Sequence, residues 1–245
     1  MSVEQLPFLA CGILVIALLY SSVGHAGASG YIAVMTLLGL APEVIKPTAL
    51  ALNILVASVT AWQFWRAGHF SWPLFWPFAV LSIPLAFLGG YVALPTAVFK
   101  VLIGVVLLIS AVRLLIAPPT EGKQSDPPRS AALSIGAGIG LLSGLTGTGG
   151  GIFLTPILLF RRWATATTAG AVSATFILTN SLAGLVGNVS ATRTFPAPAW
   201  VLLVAAAVGG SVGSYFGSHR FAQTTLKRLL AVVLIIASSK LLLAP

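Results

Sequence analysis

Charged residues are scarce in this chain. Asp, Glu, Lys and Arg make up 7% of its 245 residues, whereas hydrophobic residues make up 58%. Roughly a quarter of the residues of a soluble domain are charged, so the composition excludes that class and indicates an integral membrane protein. Because several apolar runs are long enough to cross ~30 Å of hydrocarbon as helices, we predict an all-α membrane protein.

Acidic residues and cysteine are rarer still. The carboxylates lie near the amino terminus or in predicted loops; they are Glu4, Glu43, Glu121 and Asp126. This placement excludes a carboxylate proton relay or a carboxylate sodium site within a span. The single cysteine, Cys11, excludes an intramolecular disulfide and a thiolate metal cluster. The sequence therefore predicts no metal site, no cofactor and no catalytic residue, and the lack of a P-loop argues against ATP-driven pumping.

The 13 basic residues give a formal net charge of +9, but they do not form a nucleic-acid-binding surface. They are scattered singly or in pairs at the ends of apolar runs, which is typical of topology signals in membrane proteins. We therefore expect the lipid bilayer, and no nucleic acid, as a partner. The sequence leaves the oligomeric state open.

Both halves of the chain carry a Gly-rich break, dotted with Ser and Thr, inside a long apolar run. The breaks span residues 22–31 and 143–152, and aligning Gly30 with Gly151 gives an offset of 121 residues (151 − 30). Paired interruptions of this kind indicate the binding site of a transporter, because free backbone groups at membrane depth are tolerated only where they line a cavity or are buried in protein. We divide the chain into a first membrane repeat (residues 1–116), a Pro-rich polar linker (117–129) and a second membrane repeat (130–245).

The apolar runs that contain the breaks are unusually long. They span residues 8–40 and 130–160, and their 33 and 31 residues would make helices of ~50 and ~46 Å. Each run is too long for one crossing, so we predict a re-entrant or broken helix pair that turns at the glycines and is followed by three transmembrane helices. If each pair returns to its starting side, the basic residues divide nine to four between the two sides rather than seven to six. The positive-inside rule then predicts a cytoplasmic linker, both termini outside and an inverted pair of repeats.

The two Gly-rich motifs carry a family resemblance. Residues 147–158 are Gly-Thr-Gly-Gly-Gly-Ile-Phe-Leu-Thr-Pro-Ile-Leu, and residues 27–35 are a degenerate copy, Gly-Ala-Ser-Gly-Tyr-Ile-Ala-Val-Met. In this duplicated setting the chain resembles, over nearly its whole length, the sulfite exporter TauE/SafE family of bacterial membrane permeases. The first copy departs from the usual pattern, since Met35 stands opposite Pro156. The resemblance implies a transporter in the bacterial inner (cytoplasmic) membrane that exports small sulfur-containing anions, such as sulfite or an organosulfonate.

We expect the two breaks to meet near the middle of the membrane and to form the anion site. A sulfite or sulfonate group has several charged oxygens, so its site needs converging donors without many buried cations. Helix amino termini and glycine backbone supply N–H donors, and small hydroxyl groups add others. Taken singly, either motif is equally compatible with close helix packing. The predicted ligands are Ser22, His25, Gly27, Ser29 and Gly30 at the first break, and Thr146, Gly147, Thr148, Gly149, Gly150 and Gly151 at the second.

The set of predicted ligands is completed by Asn53, Thr175 and Asn180. With an offset of 122 residues, Asn53 aligns with Thr175 and Ser58 with Asn180, so each repeat carries a polar pair five residues apart. Such a pair contacts one ligand only in a tilted or irregular helix, and interhelical hydrogen bonding is the alternative for each amide. His25 is the candidate for proton or other ion coupling, because an unperturbed imidazole titrates near neutrality. A neutral histidine bonded to a backbone carbonyl is the alternative there.

The competing functions are an anion channel built on the same pocket and an intramembrane serine protease. Residues 27–30 match the short Gly-x-Ser-Gly pattern, with Ser29 as the nucleophile and His219 as the base. A match of four residues is weak evidence in a chain with 25 glycines. We therefore predict a secondary transporter that works by alternating access, in which one group of helices moves as a rigid body against another.

Overall fold

The computed structural model of the protein describes residues 5–116, 125–194, 200–219, 235 and 238–239. All regular secondary structure in this part of the chain is helical, which confirms the predicted all-α class. Most of the predicted last span, residues 225–243, and most of the linker lie outside the described residues. The helices are α1 (Gln5–Ser21), α2 (Ala28–Leu37), α3 (Pro42–Arg66), α4 (Trp72–Tyr91), α5 (Thr96–Ile116), α6 (Arg129–Thr146), α7 (Gly151–Phe160), α8 (Ala166–Thr192) and α9 (Trp200–His219).

The helices fall into long and short classes. Within the described residues, α3, α4, α8 and α9 are long and apolar enough to cross a membrane. A helix suits this environment because it satisfies its backbone hydrogen bonds internally. In contrast, α2 and α7 have 10 residues each and extend ~15 Å, about half the thickness of the hydrocarbon core.

The first Gly-rich segment folds as a helical hairpin. The Nε2 of Gln5, at the start of α1, donates to the carbonyl oxygen of Leu38, just after α2, at 3.4 Å. After α1 ends at Ser21, the chain turns at Gly24 and Gly27, whose φ angles of 79° and 104° are left-handed values that favour glycine. The chain therefore returns to the side from which it started.

The second Gly-rich segment folds in the same way. The N–H of Ser125, before α6, donates to the carbonyl oxygen of Arg162, after α7, at 3.1 Å. Between the two helices the chain turns at Gly147, Gly149 and Gly150, which have φ angles of 80°, 75° and 84°. Both segments are thus bent helix pairs, as their length predicts.

Helices α3 and α8 form an antiparallel pair at the centre of the described structure. Asn53 of α3 bonds to Ser181 of α8, and towards the other end of the pair Phe64 lies beside Gly170. Helix α4 packs parallel to α8, and α9 packs against α3. The central pair therefore has one long helix on each flank.

Glycine faces bring two further helix pairs close together. Helix α6 runs parallel to α4, and α1 runs parallel to α9, with glycines along one member of each pair. A Cβ at these glycines would overlap a backbone carbonyl oxygen of the facing helix; they are Gly136, Gly140 and Gly144 on α6, and Gly209, Gly213 and Gly217 on α9. Small residues at this spacing let transmembrane helices pack at short range. The first helix of each hairpin thus packs against a long helix from the other half of the sequence.

Two apolar clusters fill the interior. The first joins the α1–α2 hairpin to α3, α5 and α9, and the second joins the α6–α7 hairpin to α4 and α8. Their largest fully buried side chains are Tyr31 in the first cluster and Phe78 and Phe176 in the second. Each cluster therefore combines helices from both halves of the chain, and the halves interleave.

Candidate functional site

The second break ends in a helix amino terminus that no side chain caps. Helix α7 begins at Gly151, and its N-cap residue is Gly150. The N–H groups of Phe153 and Leu154 donate to the carbonyl oxygen of Gly150, whereas no acceptor in the described part of the chain bonds the N–H of Gly151 or Ile152. The first N–H groups of a helix carry partial positive charge and attract anions. The turn therefore presents free donors.

Two buried polar side chains of the α3–α8 pair lie beside this turn. The Nδ2 of Asn53 donates to the Oγ of Ser181 at 3.3 Å, and both residues are fully buried. A Cβ at Gly149 would lie 2.7 Å from that Nδ2 and 3.0 Å from that Oγ. Only glycine allows such a close approach, and its left-handed φ of 75° favours glycine independently. The turn, α3 and α8 thus meet at one point.

Polar atoms around this point lack hydrogen-bond partners within the described structure. They are the Oδ1 of Asn53, the Nδ2 of Asn180 and the Oγ of Ser143, all on fully buried residues. The other amide atom of Asn180, its Oδ1, accepts from the Oγ of Ser82 at 2.9 Å. Ser143 lies beside the turn, because a Cβ at Gly150 would be 3.4 Å from the Cβ of Ser143. Leaving a buried polar atom unpaired costs about 1–3 kcal/mol. The Oδ1 of Asn53 and the Oγ of Ser143, whose residues adjoin the turn, therefore indicate a place for a ligand or ordered water, and Asn180 directly precedes Ser181 on α8.

The two threonines of the second break use their hydroxyl groups locally. Thr146 donates to the carbonyl oxygen of Leu142 at 2.7 Å, and the Oγ1 atoms of Thr146 and Thr148 are 2.9 Å apart. Because the Thr146 hydrogen points to the carbonyl, Thr148 is the donor between the two hydroxyls. The groups of this break that remain free to donate are therefore backbone N–H groups and the hydroxyl of Ser143.

A buried lysine absent from the predicted set supports the tip of the second hairpin. The Nζ of Lys46 donates to the carbonyl oxygens of Gly89, Gly90 and Val92, at the end of α4, at 3.2, 3.1 and 3.2 Å. The carbonyl oxygen of Lys46 would lie 3.1 Å from a Cβ at Gly147. A lysine pairs well with the free carbonyls and the negative dipole of a helix C-terminus. Its position one turn inside an apolar helix was the available signal, because a lysine at that depth needs a partner.

Lys46 also lines a cavity of about 100 Å³. Glu43 on α3, together with Asn188 and Thr192 near the end of α8, adds polar groups to its wall. The cavity reaches Leu145, which lies within the second break. A polar recess therefore adjoins the tip of the second hairpin.

The first break uses its hydroxyl groups internally. The Oγ of Ser29 donates to the phenol oxygen of Tyr20 at 2.9 Å, and the hydroxyl of Tyr31 donates to the carbonyl oxygen of Ala26 at 2.6 Å. The Oγ of Ser22, directly after α1, donates to the carbonyl oxygen of Leu19 at 2.7 Å. Neither tyrosine belongs to the predicted set, because an aromatic residue in an apolar run gives no sequence signal for a polar role.

The remaining predicted groups of the first break pack within the hairpin. His25 is buried, and its Nδ1 lies 3.1 Å from the carbonyl oxygen of Val23, which accepts the N–H. This contact matches the alternative of a histidine bonded to a backbone carbonyl. A Cβ at Gly27 would lie 2.9 Å from the ring of Tyr31, and one at Gly30 would overlap Ile16. These two glycines allow the hairpin helices to approach each other.

The two breaks lie at different levels of α8. Gly24 of the first break packs against Gly170, whereas Gly149 of the second lies against Ser181. These positions of α8 are 11 residues apart (181 − 170), or ~16 Å along the helix. The structure therefore offsets the breaks along the central pair. Two of the unpartnered polar atoms, the Oδ1 of Asn53 and the Oγ of Ser143, belong to residues beside the second break, whereas two others, the Oγ1 of Thr60 and the Oε1 of Gln63, lie further along α3 towards Arg66.

The aligned polar pairs of α3 and α8 are placed differently from one another. Asn53 and Asn180 are fully buried. In contrast, the Oγ of Ser58 donates to its own helix at Ile54, and the Oγ1 of Thr175 donates to its own helix at Ala171. Ser58 and Thr175 face an apolar cavity. In each helix the two members of the polar pair therefore lie in different surroundings and do not share one polar site.

The first break gives no support to hydrolytic chemistry. Ser29 bonds to a tyrosine hydroxyl, which is not a general base of the kind that activates a serine. The side chain of His219 lies outside the described residues. Within the described residues, no group of three His, Cys, Asp or Glu side chains could hold a metal ion.

These features define a multi-pass helical membrane protein with two helical hairpins whose tips lie in its interior. The chain matches the family model for the sulfite exporter TauE/SafE over residues 8–241, and it belongs to that family. A protein of Sinorhizobium fredii (strain NBRC 101917 / NGR234), "Probable membrane transporter protein y4hK", is 43% identical over 241 residues, which cover 96% of this chain and 97% of that protein. No solved structure matches the chain. The family and this relative confirm the resemblance seen in the sequence and indicate a membrane transporter.

Proposed function

We propose that this protein is a secondary transporter that exports small sulfur-containing anions, such as sulfite or an organosulfonate, across the inner membrane of a bacterium. The observation that carries the proposal is the uncapped amino terminus of α7, with two buried residues beside its turn, Asn53 and Ser143, that each carry a polar atom without a partner. Backbone N–H groups supply positive potential without a buried cation, which suits a compact oxyanion. The description of the family supports sulfite as the first substrate to test.

In this proposal the second break binds the oxyanion. The N–H groups of Gly151 and Ile152, the Nδ2 of Asn180 and the hydroxyl of Ser143 are the donors. The free Oδ1 of Asn53 is an acceptor, so it suits the hydroxyl of a protonated anion or the amino group of an aminosulfonate. This donor and acceptor set discriminates against ligands that lack a matching hydrogen.

The first break contributes the coupling step in this proposal. His25 is buried and carries an ionisable ring at the tip of the first hairpin. An ionisable group within a membrane span is a functional candidate by default. We therefore propose that His25 couples transport to a proton, with the Ser29 and Tyr20 pair holding the shape of the turn. A His25→Asn protein that still transports sulfite, but no longer responds to a pH gradient, would match this role.

Alternating access would arise from the opposed hairpins. The antiparallel α3–α8 pair, with α6 parallel to α4 and α1 parallel to α9, supports two repeats of inverted topology. Each hairpin then enters from its own side of the membrane, and movement of the hairpins against the central pair would open one side at a time. Arg66 and Arg161 lie at the same end of the helices as Ser125, so the positive-inside rule supports a cytoplasmic linker.

The test is counterflow of radiolabelled sulfite, sulfate, taurine and sulfoacetate in proteoliposomes. We expect saturable counterflow of one of these anions, and its uphill movement against a gradient would separate a carrier from a channel. Ser143→Ala isolates the site, because removing an unpaired buried hydroxyl is neutral or stabilising for the fold. Ser134→Ala on the same helix is the matched control, since its hydroxyl is exposed and bonds to Ser130.

Two results would count against the proposal. If folded, inserted protein moves none of these anions, the substrate class is wrong. If Ser143→Ala transports like Ser134→Ala while the wild type is active, the transporter stands and the site lies elsewhere.

A further inference from the structure

A second cavity of about 290 Å³ lies between the central helices, at the end of α3 that carries Arg66. Ser58, Trp62 and Trp65 of α3 form one wall, and Thr175 of α8 forms another. Phe70 and Trp72, in and after the α3–α4 loop, close its end, with ring centroids 5.0 Å apart. The anion site described above does not include this cavity.

The chemistry of the wall selects an apolar ligand. The hydroxyl of Ser58 donates to the carbonyl oxygen of Ile54 at 2.6 Å, and that of Thr175 donates to Ala171 at 3.2 Å. Both hydroxyl hydrogens are therefore used within their own helices, and the rest of the wall is aromatic or aliphatic. Apart from the indole N–H groups of its tryptophans, the wall offers a compact oxyanion no donor, whereas a hydrocarbon chain loses no hydrogen bond on entering.

The rim of the cavity carries a positive charge. The guanidinium carbon of Arg66 lies 5.9 Å from the ring centroid of Trp62, which lines the cavity. Trp62, Trp65 and Trp72 are each more than half exposed, as tryptophans are at the level of the lipid headgroups. A hydrocarbon slot with an arginine at headgroup level is complementary to a lipid phosphate above an acyl chain.

We propose that this cavity binds one anionic phospholipid, with an acyl chain between α3 and α8 and its phosphate at Arg66. The lipid would lie in the groove of the central pair, on the face that Thr175 and Ser58 share. The side chain of Thr175 would then serve a lipid rather than a substrate.

Quenching of tryptophan fluorescence by lipids brominated on the acyl chain tests this inference, because three of the six tryptophans line the cavity. The protein is reconstituted in mixtures of phosphatidylcholine and phosphatidylglycerol, and only one of the two is brominated in each series. We expect phosphatidylglycerol to be preferred by about fivefold, the contribution of one arginine near a membrane surface. Arg66→Gln should reduce that preference to about onefold.

Arg161→Gln is the matched control. The guanidinium carbon of Arg161 also lies 5.9 Å from a tryptophan ring centroid, that of Trp163, but neither residue lines the cavity. The Arg161→Gln protein should therefore keep the preference of the wild type for phosphatidylglycerol. Ala61→Phe, which adds a ring to the cavity wall, should lower quenching by both lipids.

Three outcomes would overturn the inference. Equal quenching by the two lipids would leave only the ordinary lipid shell around the protein. Equal effects of Arg66→Gln and Arg161→Gln would show a general charge effect. Absence of quenching by either lipid, with cross-links between copies at Trp62, would show that a second chain covers the cavity.

Discussion

Gly149→Ala is the sharpest perturbation of the candidate site. The added Cβ would lie 2.7 Å from the Nδ2 of Asn53, whereas ordinary contacts begin at 3.4 Å. The amide and the Cγ2 of Ile177, which is also at 2.7 Å, must therefore each retreat by about 0.7 Å (3.4 − 2.7), and the Oγ of Ser181, at 3.0 Å, by about 0.4 Å (3.4 − 3.0). The hydrogen bond of the amide to Ser181 is already 3.3 Å long, so a retreat of this size breaks it or forces Ser181 to follow.

The backbone strain of this substitution can be separated from its effect on the site. Alanine in a left-handed conformation costs about 1–2 kcal/mol wherever it occurs. Gly39 has a φ of 77°, against 75° for Gly149, but a Cβ at Gly39 would have no atom within 4 Å. Gly39→Ala therefore carries the same strain without the intrusion on Asn53.

We expect Gly39→Ala to transport like the wild type once the amounts of folded protein are matched. Gly149→Ala should lose about fivefold to 150-fold in counterflow, because misplacing one buried hydrogen-bonded group costs about 1–3 kcal/mol. Counterflow in proteoliposomes checks both expectations, and thermal unfolding of the same preparations measures the stability of each variant. Equal transport by the two variants at equal stability would refute the placement of the site at the second break.

Three further perturbations test the architecture. Lys46→Met leaves three carbonyl oxygens at the end of α4 without their donor, so it should unfold at a lower temperature in detergent than Lys46→Arg; equal melting would contradict this cap. Gly140→Ala pushes a methyl group onto the backbone of Ser82, whereas Gly138→Ala meets nothing within 4 Å; only the first should destabilise, and the second should gain ~0.5–1 kcal/mol of unfolding free energy. In a Cys11→Ala background, an impermeant maleimide should label Ser125→Cys and Arg161→Cys from one side and Gly39→Cys from the other; labelling of all three from one side would contradict the helix directions.

The hairpins could be predicted because their signal is local. A run of 33 residues is too long for one crossing, and only glycine adopts the left-handed turns that end α1 and α6 without strain. Length and turn chemistry together require the chain to fold back. The distribution of basic residues independently predicts that each helix pair returns to the side from which it started.

The partners of the polar side chains could not be predicted. Asn53 bonds to Ser181 across 128 positions of sequence. Which side chains of α3 and α8 meet depends on how the two helices rotate against each other, and their apolar sequences give little indication of that rotation. Thr175 aligns with Asn53 in the repeat but faces an apolar cavity. Lys46 carried a local signal, yet its three carbonyl partners exist only because the end of α4 lies beside it. Pseudo-repeated sequence thus fixes the path of the chain more firmly than the environment of each side chain.

The short second arms of the hairpins have an electrical consequence. Helices α2 and α7 have only 10 residues each and extend ~15 Å. Under the proposed mechanism, water that followed the short arm of a hairpin from its own side would stop about halfway across the membrane. Voltage falls across the dry part of the protein, and it acts with about 2.3 kcal/mol per elementary charge per 100 mV. An anion that leaves a negatively polarised cell would gain most of this energy over the short stretch between the two tips. We expect export of a singly charged substrate to quicken with membrane potential, with the voltage dependence concentrated in that step.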